Sequence, residues 1–531
     1  MMTHRWSDIG IFILTVLLFL GLGSAQAYRN PEMLGRGLEE ADVVYYPGDG
    51  PAGGLAHVDY WTIDDTSGLS EREKLKVDRI VGNRLHSALF QPWQVVAGYE
   101  AHGILNVDGR RQWLTLKLPD QWNRKLIVCG CPGLRNEYAN EATFVPWLLE
   151  MGYAVISGNK GLDNSWESML TGTHPSQHWG QMMHDLAQWA KSRIITATHR
   201  GIKRVYAVGL SNGGYQVRRA LEIDNRGPRR RRIFDGGLDW SGTYFAAKEV
   251  LDANKDGMVS VQEYASAKTL VGHMDTACLT MGWAYGDDTL TTPEQYGLVP
   301  RYPDARKAML EAGFNQNSDI FWGFYNTNYD IYKDYGLLEW QGVGYQNLVS
   351  YVYRAELLGH DLAQSAAYSC FYDPDQPDQR PPLYDWLESA VDGGWTTQGV
   401  QYALANANTA RFKVPMITLV GDADGLLAIH AHSLAYGRAV KKYGRRWLHR
   451  LYVIANAPHV DAHADGREDF DFDGTPNNEG AADELTPMQA YTQRAFDYLV
   501  DWVEKGIWPP KSTFVATDPG NDAVDPSQLS W

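Results

Sequence analysis

The chain has 531 residues, enough for a large core and for more than one domain, and 44% of it is apolar or aromatic. Its formal net charge of -16 argues against nucleic-acid and anionic-membrane partners. One basic run, Arg226 to Arg232, breaks that pattern between a helical and a strand-like stretch and reads as a solvated connecting loop, with a docking patch as the lesser alternative.

At the N-terminus, His4 and Arg5 precede an apolar run from Ile9 to Leu22 and the small-residue site Ala25-Gln26-Ala27. This order predicts a cleaved secretory signal peptide over residues 1–27. The run is short for a bilayer span and no other segment is long and apolar enough for one, so no membrane span is expected after cleavage. The expectation is an exported protein, periplasmic or extracellular, in a compartment that permits disulfides. Of the four cysteines, Cys129 and Cys131 are too close together for an easy bridge, which leaves Cys278 and Cys370 as the candidate pair.

Residues 28–114 read as strands and loops along a sheet edge. From about Leu114, short β-rich runs alternate with helical patterns. Strands are predicted at Lys125–Gly130, Tyr153–Gly161, Arg204–Leu210 and Phe234–Gly242, with helices at Trp179–His199 and from Asn212. The alternation resumes with a strand at Val414–Asp422, a helix at Ala431–Gly444, a strand at His449–Ala457 and a closing helix at Thr486–Gly506. Such alternation builds a mostly parallel, doubly wound sheet with helices on both faces. The interval 244–408 breaks the rhythm and is rich in Trp, Tyr, Gly and Asp, so it is read as one inserted lid or cap. The predicted organisation is therefore a signal peptide (1–27), a first part of the core (28–243), the lid (244–408) and a second part of the core (409–531). Aromatics of the lid (Trp283, Trp322, Phe324, Tyr325, Trp340, Trp395) are read mostly as its packing core, with a lining role for the substrate pocket as the alternative. The tail beyond Pro509 shows no clear periodicity.

Gly209-Leu210-Ser211-Asn212-Gly213 fits G-x-S-x-G between a predicted strand and a predicted helix. That context suits a nucleophile on a tight turn, with the Asn212 backbone N–H aimed at a developing oxyanion. A serine hydroxyl needs a base to take its proton, and the base needs a carboxylate to fix its tautomer. Both types occur later, each just past a predicted strand. Asp424, a few residues beyond the strand end, is the favoured acid; Asp422 is the fallback and also suits a turn carboxylate. His459 follows the last predicted strand, with His463 as its competitor; Asp461 and His463 are otherwise read as facing solvent or a metal. A second oxyanion donor is expected in the loop Gly130 to Tyr138, with Gly133 or Leu134 as candidates.

A twelve-residue stretch, "DANKDGMVSVQE", matches an EF-hand loop. Asp252, Asn254 and Asp256 fill its first, third and fifth places, Gly257 makes the turn, Met258 offers a carbonyl, and Ser260 and Glu263 complete the set. A structural calcium ion that stiffens the lid is the expected cofactor. A second stretch begins with Asp469, Asp471 and Asp473 but lacks an acid at its twelfth place, and reads equally as a weak calcium loop or a solvated acidic one.

With Ser211, Asp424 and His459 in this order, the chain resembles the α/β-hydrolase superfamily, which implies that superfamily's fold with a large inserted lid. Within it, "SNGG", "GDADGLL" and "APHVDAH" resemble exported 3-hydroxybutyrate-oligomer hydrolases. There is also a similarity to the tannase and feruloyl-esterase family, whose lid carries calcium. The resemblance covers mainly residues 125–240 and 414–505. It implies a serine ester hydrolase acting on hydroxyacid oligoesters or aromatic esters. Tannase-like enzymes place cysteines beside the nucleophile and the histidine, whereas none flank Ser211 or His459 here. The rival readings are a serine peptidase or amidase on the same fold, and a calcium-dependent binding protein on a silent scaffold.

Overall fold

The computed structural model describes residues 28–48, 95–161, 178–224, 232–244, 407–461 and 485–517, apart from scattered positions within them, and a few residues from 54–79 and 252–256. Residues 1–27, nearly all of 245–406, the acidic loop at 469–473 and the Cys278–Cys370 pair lie outside the described residues. So does the basic run up to Arg231, and so do the lid aromatics.

Ten strands form one sheet among the described residues: β1 (Glu39–Tyr46), β2 (Gly98–Val107), β3 (Arg110–Pro119), β4 (Lys125–Gly130), β5 (Ala154–Gly158), β6 (Arg204–Leu210), β7 (Gly236–Trp240), β8 (Met416–Gly421), β9 (His449–Ile454) and β10 (Thr513–Val515). Their order across the sheet is β1-β2-β3-β5-β4-β6-β7-β8-β9-β10. The pairs from β1 to β5 on that side are antiparallel, and every pair from β5-β4 through β9-β10 is parallel. With helices on both faces this is the α/β-hydrolase fold. β7 and β8 are neighbours although residues 241–415 separate them, so the chain leaves the sheet after β7 and returns to the adjacent position.

Because both faces of the parallel strands are covered, β4, β6 and β8 read as near-continuous apolar runs. Alternate residues go to opposite cores. Val205 and Ala207 face α2 (Trp179–Thr198), α3 (Asn212–Asp224) and α4 (Ser433–Tyr443). Tyr206, Val208 and Leu210 face α1 (Val145–Glu150) and α5 (Gln489–Lys505). α5 lays Tyr491, Ala495, Phe496, Leu499 and Trp502 on one stripe against the sheet, a spacing set by the helical repeat. It stops where Gly506 takes a left-handed φ of 70°.

The predicted strand at Tyr153–Gly161 ends early, at Gly158. Lys160 adopts a left-handed φ of 52°, which turns the chain out of its extended run, and Asn159 Oδ1 closes the turn by accepting the N–H groups of Trp113 and Gly161 at 3.0 Å each. β2 and β3 form a hairpin whose two-residue turn, Asp108-Gly109, has both residues at positive φ (52° and 82°). The tail carries β10, paired parallel to β9. Cys129 and Cys131 are both buried free thiols. Among the described residues no helix is long and apolar enough to cross a membrane.

Candidate active site

β6 feeds directly into α3 through one residue, Ser211, whose φ is 59°. A left-handed serine costs on the order of 1–3 kcal/mol, so its surroundings must hold it there. Its N–H donates to the Trp240 carbonyl at 2.9 Å, and its own carbonyl accepts from the N–H groups of Tyr215 (3.1 Å) and Thr243 (3.3 Å). The glycines around it are steric requirements. A Cβ on Gly209 would stand 2.3 Å from the Gly213 carbonyl oxygen, and one on Gly213 would stand 2.3 Å from the Gly130 oxygen. The turn is therefore pressed against the end of β4. Asn212 opens α3, which puts its N–H in the helix's first turn beside the serine.

A buried polar network supports the turn. Asp239 Oδ2 accepts from Arg218 Nε at 2.5 Å and from Thr418 Oγ1 at 2.9 Å. Arg218 also donates to the Thr243 carbonyl at 3.1 Å and lies 4.4 Å over the Tyr436 ring. Thr243 Oγ1 in turn donates to Asn212 Oδ1 at 2.9 Å. Burial pushes the Asp239 carboxyl above the usual carboxylate range, which the Arg218 guanidinium opposes.

Asp424 and His459 are brought together. Asp424 Oδ2 lies 2.8 Å from His459 Nδ1, while its Oδ1 accepts the Leu427 N–H at 2.8 Å. Both side chains are buried. With Nδ1 engaged by the carboxylate, Nε2 of His459 is the nitrogen left to exchange a proton with a substrate-side group. Because β6, β8 and β9 are parallel, Ser211, Asp424 and His459 all follow the carboxyl ends of strands at one edge of the sheet. Asp422 has a different task. Its Oδ1 accepts the Asn456 N–H at 2.6 Å and ties the end of β8 to the turn after β9; burial raises its pKa.

The expectation that Asp461 faces solvent or a metal is corrected by the structure. Asp461 is buried, and its two oxygens accept the N–H groups of Met488 (2.7 Å) and Gln489 (2.8 Å) at the start of α5. A carboxylate there satisfies first-turn donors and meets the positive end of the helix dipole, which fixes the loop carrying His459 two residues earlier. His463 lies outside the described residues.

The loop after β4 is held at two points by α3. The Cys131 N–H donates to Gln216 Oε1 at 2.8 Å, and Asn212 Nδ2 donates to the Gly133 carbonyl at 3.3 Å. Asn212 and Gln216 are one turn apart on α3, so a single helix face holds this loop. Gly133 has a φ of 48°; Leu134 lies outside the described residues. Sequence reasoning missed Gln216, whose only signal is its place four residues after Asn212, and Lys160, which lies beneath the same loop.

Of the EF-hand-like loop, Asp252, Asn254 and Asp256 are described, and Met258, Ser260 and Glu263 are not. Asn254 Oδ1 folds back onto the Asp256 N–H at 2.9 Å, and Lys255 has a left-handed φ of 61°. Carboxylate and carboxamide oxygens are a donor set suited to calcium. Among the described residues, no group of three or more His, Cys, Asp or Glu side chains is arranged to hold a metal.

The sheet order and the Ser211 turn define an α/β-hydrolase scaffold. In agreement, a family model described as an alpha/beta hydrolase domain matches residues 292–528, a stretch that includes Asp424 and His459 and begins after Ser211. No curated protein matches the sequence. Among solved structures the chain is similar to feruloyl esterase B from Aspergillus oryzae, at 14% identity over 88% of each chain and a TM-score of 0.41. An esterase from Aspergillus oryzae gives 13% over 90% of each chain and 0.44. The tannin acyl hydrolase from Aspergillus niger gives 13% over 90% of this chain and 88% of that one, with 0.40.

Proposed function

We propose that the protein is an exported serine carboxylic-ester hydrolase that works through an acyl-enzyme. The observation that carries this reading is the 2.8 Å contact between Asp424 Oδ2 and His459 Nδ1, on the same sheet edge as a serine held at φ 59°. Ser211 Oγ attacks the ester carbonyl carbon while His459 Nε2 takes its proton, and the carbonyl oxygen gathers the negative charge. Asn212 N–H and a donor at Gly133 or Leu134 receive that oxygen. The C–O bond to the alcohol then breaks, and His459 returns the proton to the departing oxygen. Water repeats the sequence on the acyl-enzyme, releasing the acid and regenerating Ser211. Asp424 holds the imidazole in one tautomer and stabilises its charged form. The buried site raises the worth of each of these interactions above that in water.

The favoured substrates are hydroxyacid oligoesters or aromatic esters, a preference that rests on the motif resemblance. A structural calcium ion on Asp252, Asn254, Asp256, Met258, Ser260 and Glu263 belongs to the same proposal, as does export directed by residues 1–27. A fluorophosphonate probe tests the chemistry. It is expected to label Ser211 in the wild type and not in Ser211→Ala, and a screen of 3-hydroxybutyrate oligomers, feruloyl and galloyl esters and peptide anilides should show ester cleavage. Amide cleavage without ester cleavage, or equal labelling of Ser211→Ala, would overturn the reading.

A further inference from the structure

Lys160 is entirely buried; the ionisable groups beside it among the described residues are Cys131 and Arg135, and none is a carboxylate. Its ammonium instead donates to three successive backbone carbonyls, those of Cys131 (2.9 Å), Pro132 (3.4 Å) and Gly133 (2.5 Å). An ammonium has three protons, and a compact charge with rotatable donors suits three convergent carbonyls better than a planar guanidinium would. The Trp179 indole closes the pocket at 4.9 Å. Burial lowers the lysine's pKa. A buried cation held by backbone carbonyls, on a residue in the left-handed region, is a costly arrangement for packing alone.

Peptide geometry gives it a use. In a planar trans peptide the C=O and the following N–H point in opposite directions. The Pro132 carbonyl faces the ammonium, so the Gly133 N–H faces away from it. The Cys131 N–H is already committed to Gln216. The same loop abuts the nucleophile turn, since a Cβ on Gly213 would stand 3.1 Å from the Cys131 nitrogen. We propose that Lys160 is a positioning residue for the oxyanion site, its ammonium turning and polarising the 131–133 peptides so that the Gly133 N–H meets the oxygen that gains charge when Ser211 attacks. This rests on the hydrolase reading above.

The test compares wild type, Lys160→Met and Lys160→Gln with a p-nitrophenyl ester, each rate normalised to active sites titrated with a phosphonate. Lys160→Met keeps the length of the stem and removes the donors. Its kcat per titrated site is expected to fall by about 10²-fold, the scale of losing one oxyanion donor, with KM within about threefold of wild type. Lys160→Gln, with two amide protons, is expected to recover roughly tenfold of that loss. A wild-type kcat per titrated site in either variant, even with a lowered thermal midpoint, would mean that Lys160 only packs the loop and would overturn the proposal while leaving the esterase reading intact. If Lys160→Met fails to accumulate, Lys160→Gln decides alone. A wild type with neither ester turnover nor phosphonylation of Ser211 would overturn both readings together.

Discussion

Gly421, the last residue of β8, passes so close to Ala457 that a Cβ built on it would stand 1.9 Å from the Ala457 carbonyl oxygen. The contact lies between the loop that carries Asp424 and the loop that carries His459. It sets their spacing through backbone alone, before either side chain is considered. Gly421→Ala is therefore expected to lower stability by about 1–3 kcal/mol and, by separating the two loops, to cut kcat by about 10²-fold. Thermal unfolding and ester kinetics on the same preparation check both effects.

The two aspartates after β8 should respond very differently to the same change. Asp424→Asn breaks the contact that fixes the His459 tautomer, and a loss of about 10⁴ in kcat is expected. Asp422→Asn keeps an oxygen that can accept the Asn456 N–H, so kcat should stay within about tenfold of wild type. Comparable losses in both variants would reverse the assignment.

Asp461 gives a prediction about stability. Asp461→Ala leaves the Met488 and Gln489 N–H groups without their carboxylate at the start of α5. A loss of about 1–2 kcal/mol in urea unfolding is expected, the usual scale for a removed helix cap. Asp461→Asn, which retains one acceptor oxygen, should lose less.

His449 predicts a dependence on pH. Burial, with Arg218 and Arg450 nearby, lowers its pKa from 6.5 to about 3. Thr418 Oγ1 spends its proton on Asp239, so at 3.0 Å the neutral His449 donates from Nε2 to the threonine oxygen. The unfolded chain takes up this proton near 6.5 and the folded one resists until about 3, so the stability His449 supplies is complete above pH 6.5 and is lost as pH falls through that window. Buried Glu141, raised to about 7 by burial against the pull of Lys117, acts in the opposite sense and is common to both proteins in a comparison. Relative to His449→Gln, wild type should lose up to about 1.4 kcal/mol per pH unit between pH 6 and 4 in denaturant titrations. A difference that does not change with pH would show that the imidazole is not held neutral.

Much of this arrangement was readable in the chain. β4 and β6 match their predicted bounds because strands covered on both faces leave unbroken apolar runs, and Ser211 sits between glycines that the turn sterically demands. The β2–β3 hairpin was passed over although Asp108-Gly109 is a strong hairpin signal, and three-residue β10 is too short to show a period. Lys160 and Asp461 carry no local signal. What each does depends on backbone groups 27 or more residues away, which become its partners only when the sheet has formed.

β7 and β8 are joined by residues 241–415 and still lie side by side. The equilibrium cost of so long a detour is modest, since doubling a connection adds only about 0.6 kcal/mol of closure entropy. The order of events is affected more. Ser211 and its supporting turn emerge in the first half of the chain, whereas Asp424 and His459 are added only after the detour. Pairing across such a separation in sequence is slow, so a growing chain holds the proposed nucleophile well before it has the proposed base. Hydrolytic competence would thus be among the last properties this polypeptide acquires as it folds.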